Sequence, residues 1–482
     1  MTLKERVGLF AGLAAFLGVL ALPAPAELAP EAWRTAAVAF LMAIWWLTEA
    51  VPIPATALLP LVLLPLVGAG SITEVAAPYA NPIIVLFLGG FLIALSMERW
   101  QLHRRIALQI LSRVGGHPAA ILAGFMAATA FLSMWVSNSA VALMMLPIGL
   151  SVVGYVEPVD DRDEDGAPGG GFAVALMLGI AYAANIGGMG TLVGTPPNAF
   201  LAGFLQESYG IEVGFAEWLK LGLPLVLVSL PLVYLVLRRI LARGPRTDTA
   251  GAREAIVDEL VSLGSITAAE KRVSLVFALA AGSWILRPLL ERWIPGLSDA
   301  GIAITCGLLL FLLPAEKGKP AVLDWEWAER LPWGVLILFG GGLSLAAAID
   351  RTGLNTWLGG AAAGLADWPP WLFIGLVTAI VVMLTELTSN TATAAAFLPI
   401  LGAVALEVGW DPRLLAVPAA LAASCAFMLP IATPPNAIVY GSGRVTIPQM
   451  ARAGWWANVI MTVLITGLTL LLLPLAFGVP IP

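Results

Sequence analysis

Two short stretches of hydroxyl and amide side chains recur in apolar surroundings, Ser137-Asn138-Ser139 and Ser389-Asn390-Thr391. Asn supplies amide donors, and Ser and Thr supply hydroxyls. A turn at such a place exposes backbone N–H groups at the start of the returning helix, and those donors with the helix dipole favour an anion. Each stretch can therefore hold one carboxylate without a buried cation. A second pair is Thr-Pro-Pro-Asn at 195–198 and at 433–436. Two prolines in a spanning segment remove two donors and break the helix. The freed carbonyls of Gly194 and Ala432 suit a hard cation such as Na⁺.

These pairs belong to a longer repeat. "FLSMWVSNSAVALMMLP" (131–147) matches "VMLTELTSNTATAAAFLP" (382–399), with Asn138 and Asn390 252 residues apart. "ALSMERWQL" (94–102) matches "AAAIDRTGL" (346–354) at the same offset, from Glu98 to Asp350. Thr195 and Thr433 are 238 apart, a shortfall that an acidic insertion in the first half, 159–171, accounts for. One Ser-Asn turn or one proline kink is ordinary. Two of each, in the same order, point to a duplicated binding device.

The elements that must position these residues are membrane helices. Of 482 residues, 59% are hydrophobic and 12% charged, against about 25% charged in soluble chains; the mean hydropathy is +0.91. So few charges exclude a cytoplasmic enzyme, a nucleic-acid binder and a disordered chain. The apolar runs are continuous over a helix length and do not alternate, which speaks against an outer-membrane barrel. The class is an all-α polytopic membrane protein. Spanning runs lie near 33–49, 53–70, 83–97, 217–237, 273–290, 299–314, 333–349 and 453–478. Regions 118–208 and 370–442 are apolar but interrupted by Ser, Asn, Thr, Gly and Pro, which a bilayer tolerates only where protein or a water-filled cavity surrounds them.

Direction follows from the basic residues. With the N-terminus in the cytoplasm and 118–154 and 370–402 as re-entrant hairpins, only Arg34, Lys220, Arg287, Arg292, Arg351 and Arg413 of the 25 Lys and Arg fall outside, as the positive-inside rule asks. That gives about eleven crossings and an external C-terminus. The odd number of crossings between the hairpins inverts the second repeat, the arrangement of secondary transporters with broken helices. Lys4 and Arg6, the run Val7–Leu22 and "ALPAPAE" resemble a signal peptide; we read them as an uncleaved first helix.

The chain has no GxxxxGK[ST], HExxH or GxSxG sequence, so the usual equipment for ATP use, zinc hydrolysis or acyl transfer is missing, and an enzyme is not expected. Cys306 and Cys425 read as buried free thiols. Glu98-Arg99 and Asp350-Arg351 read as interfacial anchors, and the 17 tryptophans as interface belts. Glu386, three residues before the second Ser-Asn-Thr, reads equally as a functional carboxylate and as a structural partner.

Paired Ser-Asn-Thr tips followed by paired Thr-Pro-Pro-Asn breaks resemble the divalent anion/sodium symporter family, and "WWLTEAVPIPATALLP" (45–60) is similar to that family's early helix. The resemblance covers nearly the whole chain. It implies an inner-membrane homodimer in which transport domains slide like an elevator against a scaffold. The scaffold would be 1–117 and 273–369, the transport domain 118–240 and 370–482, and 241–272 a cytoplasmic connecting arm. It implies one Na⁺ site from Ser133, Ser137, Asn138 and Gly194, and a second from Thr385, Thr388, Asn390 and Ala432. It implies substrate contacts from Asn138, Ser139, Thr195, Ser389, Asn390, Thr391 and Thr433. Ser139 stands where the family pattern has Thr, keeping the hydroxyl and losing a methyl. The expected activity is Na⁺-coupled symport of C4 dicarboxylates such as succinate, fumarate and malate. The alternatives are a sulfate or citrate carrier, or a Na⁺-independent dicarboxylate exchanger.

Overall fold

The computed structural model describes residues 2–156, 171–241, 250–316, 318, 320–360, 364 and 368–482. Most of the acidic insertion (159–170), together with Arg243, Arg246, Lys317 and Lys319, lies outside the described residues. Among the described residues the structure is helical, with one isolated bridge between Pro314 and Ala321. Among the described residues, eight helices are long and apolar enough to cross a membrane, and shorter apolar helices accompany them.

The two repeats appear as matched series. Pro82–Arg99 corresponds to Trp333–Thr352, and Leu102–Leu111 to Leu354–Gly360. The first hairpin is Pro118–Ser133 and Asn138–Val156; the second is Pro370–Thr385 and Asn390–Glu407. Proline at the first position starts both leading helices, where its missing N–H costs nothing. Each hairpin is followed by a broken helix. The first consists of Gly171–Gly188 and Pro196–Tyr209, the second of Arg413–Ala423 and Pro434–Gly441. Phe215–Leu241 and Ile447–Phe477 close the two series.

The repeats pack across one another. The returning arm of the first hairpin meets the second half of the second broken helix, and the returning arm of the second hairpin meets the second half of the first. This exchange brings both tips to one place. Gly171–Gly188 lies at the centre of the assembly, with every residue after Gly171 buried. Such a helix can be apolar all round because protein surrounds it.

Three expectations change. The run 53–70 is not one helix but two short pieces, Ile53–Thr56 and Leu59–Leu66. Pro52, Pro54 and Pro60 interrupt it, and the open Ala57 carbonyl is taken by Tyr79 Oη at 2.5 Å. The tryptophans are not only belts: Trp46, Trp218 and Trp284 are fully buried, and Trp218 Nε1 donates to the Met189 carbonyl at the first break. The charges at the repeated helix ends bind neighbouring protein. Arg99 pairs with Asp324 at 2.5 Å, Arg351 donates to the Ala69 carbonyl at 2.7 Å, and Asp350 accepts from Asn355. Cys306 and Cys425 are free and buried, as expected.

The arm helix Ala250–Ser262 packs against both Asn138–Val156 and Leu102–Leu111. Glu259 pairs with Arg104. Past that helix but still within 241–272, Glu270 forms a buried pair with Arg105 at 2.6 Å, and the other Arg105 donors lie on the Leu263 and Gly264 carbonyls.

Candidate functional site

A cavity of about 860 Å³ lies where the two tips and the two breaks meet. Ser137, Asn138, Ser139, Gly194, Thr195, Ser389, Asn390, Thr391, Ala432 and Thr433 all line it. The helices beginning at Asn138, Asn390, Pro196 and Pro434 therefore present four N-terminal ends to one space. The peptide dipoles supply positive potential there without a lysine or arginine at the tips.

Beneath each tip the same three oxygens gather. Ser133 Oγ lies 2.6 Å from Asn138 Oδ1 and 2.8 Å from the Ala184 carbonyl oxygen. Thr385 Oγ1 lies 2.8 Å from Asn390 Oδ1 and 2.8 Å from the Ala423 carbonyl oxygen. Each hydroxyl has one proton for two acceptors, so each ring keeps oxygen lone pairs for a hard cation. Ser133 and Thr385 are fully buried. Glycine makes the first ring possible. A Cβ at Gly188 would come within 2.7 Å of Asn138 Oδ1, and one at Gly194 would strike the Gly188 carbonyl oxygen.

Of the residues expected to bind Na⁺, Ser137 stands at the cavity wall and also accepts from the Ala140 amide at 3.3 Å. Thr388 is not brought to the ring by its hydroxyl. Its Oγ1 donates to the Leu384 carbonyl at 2.9 Å and lies 2.7 Å from Thr393 Oγ1, and the residue does not line the cavity.

The asparagine of each Thr-Pro-Pro-Asn has a distinct task. Asn198 Nδ2 holds the carbonyls of Thr191 at 2.8 Å and Gly188 at 3.2 Å. Asn436 Nδ2 holds those of Leu429 at 3.0 Å and Ala426 at 3.1 Å. These are the carbonyls each break releases, so the side chain closes the non-helical segment that the prolines open.

Glu386 is the asymmetric member. Its carboxylate accepts from the backbone amides of Phe427, Met428 and Leu429 at 2.7–3.1 Å and from Asn458 Nδ2 at 2.8 Å. It satisfies the amides freed by the second break, which makes it a structural partner. The first repeat has Met134 at this position. There the Met189 and Gly190 amides turn back onto Ile186 and Gly187, and no acid is needed.

Sequence reading missed Asn185. It is buried, touches the cavity, and its Nδ2 donates to the Ala426 carbonyl at 3.2 Å and to Thr433 Oγ1 at 3.1 Å. A polar residue in the otherwise apolar "LMLGIAYAANIGG" was the only signal available.

The architecture and site geometry have a counterpart in sequence. Residues 3–476 match the family model for the sodium:sulfate symporter transmembrane region. The chain belongs to that family. Its members are transporters, and the chain is a carrier, not an enzyme. It is 44% identical over 483 residues to the sodium-dependent dicarboxylate transporter SdcS of Staphylococcus saprophyticus, covering 99% of this chain and 93% of the relative. A second SdcS, from Staphylococcus aureus strain bovine RF122, is 44% identical over 482 residues with the same coverage. In fold, the chain is similar to the crystal structure of the Alcanivorax borkumensis YdaH transporter. The TM-score is 0.60 at 16% identity, covering 92% of this chain and 98% of the other.

Proposed function

We propose that the protein is a Na⁺-coupled symporter of C4 dicarboxylates such as succinate, fumarate and malate. One observation carries the reading: two carboxylate-sized tips, Ser137–Ser139 and Ser389–Thr391, share one cavity, and each stands over its own ring of three oxygens. Two tips suit a molecule with two carboxylates, and two rings suit cations that neutralise it. The relatives named sodium-dependent dicarboxylate transporters support the same choice. The family's sodium:sulfate description keeps sulfate as the second substrate class to test.

In this reading, substrate is held by Asn138, Ser139, Thr195, Ser389, Asn390, Thr391 and Thr433. Na⁺ is held at Ser133, Ser137, Asn138 and Gly194, and at Thr385, Asn390 and Ala432, with Thr388 supporting the second tip through Thr393. Segments 118–240 and 370–482 move together, because the hairpins and breaks of the two repeats interlock. Segments 1–117 and 273–369 form the fixed scaffold, which carries the homodimer contact, and 241–272 joins the parts. The cavity reaches Glu49, Glu98 and Arg330, all at helix ends that the positive-inside count assigns to the cytoplasm. The conformation is therefore read as inward-open, in an inner membrane with the N-terminus inside.

The test is uptake of labelled succinate into proteoliposomes with an inward Na⁺ gradient, with choline replacing Na⁺ as control. Uptake only with Na⁺, competed by fumarate and malate, is expected. Equal uptake in choline would overturn symport and leave exchange. Competition by sulfate and not by dicarboxylates would overturn the substrate class.

A further inference from the structure

The two oxygen rings belong to different repeats, and a symporter must avoid moving with one ring filled. A physical link between them is therefore worth tracing. Ala184, whose carbonyl oxygen completes the first ring, is followed at once by Asn185. The Asn185 amide leaves its own repeat and grips the second break at two points, the Ala426 carbonyl and the Thr433 hydroxyl. Thr433 follows Ala432, the carbonyl assigned to the second cation, and its hydroxyl also accepts from the Asn436 amide at 3.4 Å. A displacement of the Ala184–Asn185 peptide toward a cation in the first ring is passed through one side chain to the backbone of the second site.

The link is not a requirement of the duplicated fold. The residue in the corresponding place of the second repeat is Ser424, whose hydroxyl is buried and has no hydrogen-bond partner among the described residues. The bridge runs one way only. Nor is the bridge needed to satisfy its acceptors. The Ala426 carbonyl is also held by Asn436 Nδ2 at 3.1 Å, and the Thr433 hydroxyl keeps its capping contact. Truncating Asn185 therefore orphans neither acceptor, so a large folding penalty is not expected.

We propose that Asn185 is a positioning residue that couples the two cation sites, so that an ion in the first ring raises the affinity of the second. This rests on the rings being the Na⁺ sites. The test uses the full chain in proteoliposomes, with succinate uptake measured against Na⁺ concentration. It is paired with Na⁺ titration of the thermal unfolding temperature without succinate. Wild type should respond sigmoidally. In Asn185→Ala and in the near-isosteric Asn185→Leu, the Hill coefficient should fall towards 1. The half-saturating Na⁺ concentration should rise about fivefold or more, while uptake at saturating Na⁺ persists. An unchanged Hill coefficient in both variants would overturn the proposal. So would loss of a cooperative unfolding transition in both, because the amide would then serve the fold. A hyperbolic response in wild type would overturn the coupling alone, and no Na⁺ response in wild type would overturn the sodium reading beneath it.

Discussion

Asn458 Nδ2 donates to Glu386 Oε1 at 2.8 Å, joining the last long helix to the second hairpin tip at the point where the carboxylate holds three backbone amides. A buried carboxylate with four donors and, among the described residues, no cationic partner is stable because each donor comes from a group that would otherwise be unpaired. The acid at 386 and the break at 427–429 are therefore two halves of one feature.

Removing the acid should destabilise the protein. In Glu386→Ala the three amides and Asn458 lose their acceptor, at a cost of about 1–3 kcal/mol for each group left without a partner. Glu386→Gln keeps one oxygen but turns an NH₂ towards donors, so an intermediate loss is expected. Thermal unfolding in detergent measures both. An unfolding temperature for the Ala variant equal to that of wild type would refute the clamp.

The tip asparagines test the site directly. Asn138→Ala and Asn390→Ala each remove a side chain that faces the cavity and contributes an oxygen to a ring. Charge-assisted hydrogen bonds are worth about 1.5–3 kcal/mol each, so affinity should fall on the order of tenfold to several-hundredfold. The fold should survive, since Ser133 and Thr385 retain the Ala184 and Ala423 carbonyls. Near-wild-type succinate uptake by either variant would refute the assignment.

The break asparagines should behave as a matched pair. Asn198→Ala and Asn436→Ala each remove an amide donor from two carbonyls of the break. The Ala426 carbonyl keeps Asn185, and the Thr191 and Leu429 carbonyls keep the Gly194 and Ala432 amides, so the cost should be about 0.5–1.5 kcal/mol per hydrogen bond lost. Aspartate is nearly isosteric but has no N–H to donate, so Asn→Asp should not rescue. Unfolding temperatures that differ widely between the two sites, or rescue by Asp, would show that the closing bonds are not what matters.

Much of this is legible in the sequence, and the reason is the duplication. A Ser-Asn turn or a Pro-Pro break is weak evidence alone, but the offset from Asn138 to Asn390 removed chance. The structure then set the two tips in one cavity. What stayed hidden was pairing at long range. Asn185 and Asn458 are single polar residues in apolar runs, and their partners lie far along the chain. Glu386 was visible as an anomaly, but its role depends on amides 41–43 positions away. The error at 53–70 was of another kind. Hydropathy reported a span, while Pro52, Pro54 and Pro60 together with the Tyr79 hydroxyl decided the backbone.

Motion can be tested at one contact. Gly90 lies on helix Pro82–Arg99, in the segment proposed as scaffold, and Val193 lies in the first break, in the segment proposed to move. A Cβ placed at Gly90 would stand 3.7 Å from Val193 Cβ, inside the roughly 3.5–4.5 Å span of a disulfide. Gly90→Cys with Val193→Cys, in a protein whose Cys306 and Cys425 are replaced by Ala, should therefore crosslink without distortion. If the transport segments slide as a body, oxidation should abolish succinate uptake and reduction should restore it. Each single cysteine should be indifferent to oxidation. Complete crosslinking with uptake intact would rule out sliding of the first break past Pro82–Arg99 and would favour local gating at the tips.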